Sequence, residues 1–167
     1  MNSRWVQGTL LVEALLAATI LGTMLLASAA ALGVAYDAIV LGKFQSTASF
    51  LLQEELEPLL TVRDSGWANV SANGTYYVAV SGSSWRLTPT ATGEVVGDFT
   101  RSVTISDVYR NSSGQIVETG GTLDPSTKKA VATVSWQVFL PRSLTSTLYI
   151  TRYKDNLVWM QTTEAEF

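Results

Sequence analysis

Between Glu13 and Asp37 the chain carries no charged side chain, and nothing else in the sequence constrains the fold as tightly. The run Ala14–Tyr36 is 23 residues long, rich in Ala and Leu, and contains no proline. About 20 apolar residues cross a bilayer as a helix, and Ala and Leu are strong helix formers. A transmembrane helix follows, with Gly22 and Gly33 its weak points, each about 1 kcal/mol less favourable than Ala. Ala27, Ser28, Ala29, Ala30, Ala31 and Gly33 leave a surface on which other helices can approach closely.

Three readings of this segment compete. A signal anchor would hold an external domain, and Arg4 favours a cytoplasmic N-terminus by the positive-inside rule. A cleavable secretory signal would use Leu15–Leu26 as its apolar region and Ala27-Ser28-Ala29 as its small-residue cleavage site. The third must account for Glu13. A carboxylate at the edge of an apolar helix is costly and usually has a partner, which neither an anchor nor a secretory signal requires.

Residues 8–17, GTLLVEALLA, resemble the leader junction of type IV prepilins and pseudopilins, in which a Gly precedes the cut and a Glu stands five residues into the mature chain. Gly8, Thr9 and Glu13 match that spacing. The resemblance implies a leader peptide of residues 1–8, cleavage between Gly8 and Thr9 by a prepilin peptidase, and N-methylation of Thr9 by the same peptidase/methyltransferase. The apolar helix is then retained. Loss of Arg4 leaves ten basic against fourteen acidic residues, a net charge of −4. One departure is visible: the family usually has Phe where Thr9 stands. In a filament of packed apolar helices an isolated carboxylate is strongly penalised. Pairing Glu13 with the α-amino group of a neighbouring Thr9 would neutralise it and set the axial register between subunits.

Composition narrows the chemistry further. Of 167 residues 47% are hydrophobic and 15% charged, and the mean hydropathy is positive, which excludes a disordered chain. The net charge of −3 offers no basic field for nucleic acid. With no Cys and no His, disulfides, triad hydrolases and zinc sites of the usual kind are excluded. Carboxylate-only chemistry and metal sites built from oxygen ligands stay open, but no converging set of carboxylates is visible, and the chain is expected not to be an enzyme and to use no cofactor and no metal. Asp124-Pro125, followed by Lys128-Lys129, has too few carboxylates for a calcium loop and reads as a turn into the next strand.

After Tyr36 the pattern turns amphipathic, with Ile39, Val40, Phe44, Thr47, Leu51 and Leu52 near helical spacing. Pro58 disfavours helix at the residue before it, so the helix is expected to end or kink near Glu57. Glu54, Glu55 and Glu57 read as a solvated helix end. The long N-terminal helix is set at residues 9–60 and an extracytoplasmic β-rich head at 61–167. A helix from Leu10 to Glu57 would be about 70 Å long, more than twice the hydrocarbon core, so its outer half should pack on the head.

From Ser65 onward, Gly, Ser, Thr and Asn punctuate β-prone runs. Strands are expected at Thr75–Val80, Ser84–Thr88, Phe99–Tyr109, Gln115–Glu118, Ala130–Leu140 and Ser143–Tyr153. The fold class is α+β: a long N-terminal transmembrane and amphipathic helix packed on a C-terminal antiparallel sheet, a pilin-like lollipop. Trp67, Trp85, Phe99 and Trp136 are assigned to the core. The stretches EELEPLLTVRDSGWANV, GTYYVAVSGSSWRLT, DFTRSVTISDVYRNSSG, LDPSTKKAVATVSW and SLTSTLYITRY are similar to those of minor pilins. The tail at 156–167, with its NLVWM segment, extends beyond the usual closing strand.

What this resemblance implies is a minor pilin or pseudopilin. Such a subunit serves a type IV pilus or a related secretion or competence filament, placed first in the bacterial inner membrane and then at the cell surface. Its partners would be other pilin subunits, the prepilin peptidase/methyltransferase, the inner-membrane assembly platform and the membrane itself. The alternative is a membrane-anchored or secreted β-domain that binds a surface or a carbohydrate, which exposed aromatics among Trp67, Trp85, Tyr76, Tyr77 and Trp159 would support.

Overall fold

The computed structural model describes the backbone of residues 3–154 and the side-chain surroundings from Leu10 onward. The NLVWM segment and Trp159 lie outside the described residues. The protein is α+β, as its sequence pattern predicts. One helix, α1 (Ser3–Ser65), precedes an antiparallel sheet of seven strands. The chain divides into two compact units, the first ending at Phe44 and the second beginning at Gln45.

In the second unit the helix buries one stripe. Ala48, Leu51, Leu52, Glu55, Leu59 and Val62 recur every three or four residues and are all buried, whereas Phe50, Gln53, Glu54, Glu57 and Thr61 are exposed. The helix does not end at Glu57. It continues through Pro58, itself buried, to Ser65. Proline removes one intrahelical hydrogen bond, a cost of about 3 kcal/mol. Burial of Leu59 and Val62 just beyond it offsets this, since each fully buried aliphatic side chain contributes about 1.5–3 kcal/mol. Local propensity is overridden by packing. A short 3-10 turn, Trp67–Asn69, then seats Trp67 and Val70 in the core.

The strands are β1 (Gly74–Ser81), β2 (Ser84–Pro89), β3 (Glu94–Val96), β4 (Phe99–Arg110), β5 (Ile116–Val117), β6 (Thr122–Gln137) and β7 (Pro141–Thr151). The order across the sheet is β2-β1-β4-β6-β7, with β3 and β5 paired to β4. Alternation selects the buried face. Phe99, Arg101, Val103 and Ile105 of β4 face inward, as do Ala130, Ala132, Val134 and Trp136 of β6. Phe99 and Trp136 are cross-strand partners with ring centroids 5.9 Å apart and planes tilted by 49°, an aromatic pair of the favoured inclined kind.

Two strand expectations need correction. β6 begins at Thr122, so Asp124-Pro125 lies inside a strand and is not a turn leading into one. The register between β4 and β6 shifts at Asp107/Val108: Lys128 faces Asp107 while Asp124 faces Val108. Pro125, which cannot donate to a ladder, falls in the bulge this creates. Residues 94–96, which the sequence pattern leaves without a strand, form β3 along β4.

The sheet also forks. β1 pairs with β4 only over Gly74–Tyr76, opposite Ile105–Val103. Beyond that point β1 continues with β2 alone, and β3 takes the place beside β4, with Glu94 opposite Arg101.

Candidate functional site

The apolar run is helical, and nothing in its own unit covers it. Every large apolar side chain from Leu10 to Ile39 is exposed, Leu26 at 74%. A helix apolar all round requires an apolar environment on every side. Its Thr and Ser hydroxyls are satisfied from within: Thr19 and Thr23 donate to the carbonyls of Leu16 (2.8 Å) and Ile20 (2.9 Å), and Ser28 to that of Met24 (2.8 Å). Inside a bilayer, polar groups need such internal partners because no water is available. By length and composition the helix is able to cross a membrane.

Gly8 and Thr9, the residues assigned to cleavage and N-methylation, lie within the helical span Ser3–Ser65. Glu13, assigned to filament assembly, follows one helical turn after Thr9 and is exposed at the start of the apolar run. It is the single acidic residue between Leu10 and Tyr36.

The sequence reading missed a second carboxylate. Glu55 is not part of a solvated helix end; it is wholly buried, while Glu54 and Glu57 are exposed. The signal was available in the phase of the helix, since Glu55 stands four residues after Leu51 and four before Leu59, on the buried stripe. Its Oε2 accepts the Val78 N–H at 3.2 Å, and its Oε1 lies 2.9 Å from Arg101 Nε. Arg101 is shared. Its Nε donates to Glu94 Oε2 at 2.7 Å, and its Nη1 lies 3.2 Å from Glu54 Oε2. Because Nε directs its proton to Glu94, Glu55 Oε1 makes an ion-pair contact without an aligned hydrogen bond, and buried Arg101 Nη1 likewise lacks one.

Burial disfavours the charged form of Glu55 and pushes its carboxyl from 4.5 up to about 7, against the pull of Arg101 and the Val78 N–H. Burial also works against the Arg101 charge, but the hydrogen bond to Glu94 and the surrounding carboxylates outweigh it and raise its pKa. Glu94, Glu55 and Glu54 all act on Arg101 as counter-ions. Among the described residues no three acidic side chains converge as metal ligands.

Of the aromatics a carbohydrate-binding face would use, Trp67 is buried and Tyr76, Tyr77 and Trp85 are half-buried. Trp67, Phe99 and Trp136 belong to the core, as expected. Trp85 instead lines a cavity of about 450 Å³ with Val62, Ser65, Asn69, Arg86 and Leu87.

Helix and sheet together define an α+β protein with one membrane-length N-terminal helix. Compared with known proteins, the chain matches no family profile, no curated protein and no solved structure.

Proposed function

We propose that the chain is a minor pilin or pseudopilin, a structural subunit of a type IV pilus or a related secretion or competence filament. The observation that carries this reading is an apolar helix, exposed on every side, with a single carboxylate, Glu13, at its start. A membrane anchor needs the apolar surface but not the carboxylate; a filament of packed helices uses both. Gly8 precedes the cut, Thr9 presents the new, methylated amine, and Glu13 pairs with the Thr9 amine of a neighbouring subunit. Such buried pairs are best attested as devices for register. The subunit is processed by a prepilin peptidase/methyltransferase, waits in the bacterial inner membrane with its β-domain outside the cytoplasm, and is drawn into the filament by an assembly platform.

N-terminal sequencing of membrane-derived protein tests this. N-methyl-Thr9 supports the subunit, Ala30 a secretory signal and Met1 an uncleaved anchor. Glu13→Ala is expected to insert and be cleaved normally yet fail to enter filaments, and normal incorporation sinks the register pairing. The Trp85 cavity favours a second reading, a β-domain that binds a surface or a carbohydrate. It requires that Trp85→Ala abolish saccharide binding by the intact chain.

A further inference from the structure

Glu55 sits where the sheet forks. One oxygen holds the Val78 N–H of the β1 branch, and the other faces Arg101 on the β4 branch. Val78 lies two residues beyond Tyr76, where β1 ceases to pair with β4, so its N–H is bonded to a side chain of α1 where a continuing ladder would have offered a strand.

We propose that this joint is a pH-responsive latch: with Glu55 protonated the β1–β2 arm is held to α1, and with Glu55 ionised that hold weakens. The charged groups facing Glu55 are Arg101 from β4, Glu94 from β3 and Glu54 from α1, while β1 contributes only the Val78 amide. An ionised Glu55 is therefore one of three carboxylates gathered on a single guanidinium. Its Oε1 has no aligned donor, and the side chain is wholly buried from bulk solvent. A buried charge without its full set of hydrogen bonds is expensive, whereas the protonated form carries no charge to desolvate and its Oε2 can still accept from Val78.

The sign follows from linkage. The carboxyl is raised from 4.5 to about 7 in the closed joint, mainly by burial. Between those values the closed joint binds a proton that the open one lacks. Opening therefore becomes about tenfold easier for each pH unit across that window, is suppressed below it and levels off above it.

Amide exchange at Val78, measured in the full chain in detergent micelles and corrected for intrinsic rates, reads the latch directly. Protection of Val78 is expected to fall about tenfold per unit between about pH 4.5 and 7, with no such step at Ala132 in the ladders of β6. Glu55→Gln, which keeps the acceptor and loses the titration, should abolish the step and leave Val78 protected. Val78 protection that tracks Ala132 over this range overturns the latch, and so does a step that persists in the variant. Should that variant not fold, carbon-detected titration of the wild-type Glu55 carboxyl decides alone: a midpoint near 7 supports the latch and one near 4.5 removes it.

Discussion

The Lys128 ammonium lies 2.6 Å from a carboxylate oxygen of Asp107, across a facing pair of β4 and β6. Lys128 also donates to Asn73 Oδ1 at 2.8 Å, and Asn73 Nδ2 donates to the second Asp107 oxygen at 2.7 Å. The three side chains close a ring that ties the entry of β1 to the two central strands. This reinforcement falls where it is needed, beside a β1–β4 ladder only three residues long.

Lys128→Met should therefore destabilise the domain by about 1–2 kcal/mol, less than a fully buried pair would lose because Asp107 keeps some access to water. A double-mutant cycle with Asp107→Asn, read by thermal unfolding, should return a coupling of about 1 kcal/mol. Additive losses would show that the ring does not act as a unit.

Acid should act through the same groups. The hydrogen bond from Lys128, then that from Asn73, holds the Asp107 carboxyl below its ordinary 3.8, and Arg110 does the same for Asp124. Carboxyls depressed in the folded state contribute stability above their unfolded value and lose it as pH falls through the folded one. Glu55 is shifted the other way and removes stability as pH rises from 4.5 to about 7. The melting temperature should peak near pH 4–5, roughly where these opposing slopes meet. Asp107→Asn should flatten the acid limb alone, and Glu55→Gln the limb towards neutrality.

Leu59 is wholly buried on the helix stripe, so Leu59→Ala should cost the domain about 2–5 kcal/mol. Leu26→Ala removes the same atoms from an exposed position in the apolar run and should leave unfolding of the sheet unchanged, as followed by far-ultraviolet circular dichroism.

Gly93 and Gly97 flank β3, and both adopt positive φ, 91° and 59°. A Cβ at Gly93 would stand 2.7 Å from the Arg101 carbonyl oxygen, a strand atom that cannot yield, whereas one at Gly97 meets nothing within 4 Å. Gly97→Ala should cost about 1–2 kcal/mol from conformation alone. Gly93→Ala should cost distinctly more and should disturb the amide shifts of Glu94–Val96. Equal losses would refute the steric account.

The architecture was legible because its signals are periodic. The uncharged run, the stripe before Pro58 and the alternation in Val103–Ile105 and Ala130–Trp136 each declare an element without help from the rest of the chain. The misreadings share one physical cause, in that the deciding energy lay in contacts distant along the chain. Pro58 marks a helix end locally, but burial of Leu59 and Val62 carries the helix on. Asp124-Pro125 has turn composition, yet a bulge opposite Val108 accommodates it within β6. Glu55 resembles its acidic neighbours until Arg101, 46 positions later, supplies its partner. Gly8, Thr9 and Glu13 are of another kind: their assigned roles concern processing and neighbouring subunits, and rest on resemblance.

The inward hydroxyl bonds of Thr19, Thr23 and Ser28 have a consequence for transfer between solvents. A helix whose Thr and Ser hydroxyls need no external acceptor could trade acyl chains for the flanks of other helices with few hydrogen bonds broken or made. Along residues 10–36 that leaves Glu13 as the one ionisable carboxylate whose solvation changes with the company it keeps. Were such an exchange to occur, few hydrogen bonds would change along the run, and its selectivity would fall on Glu13.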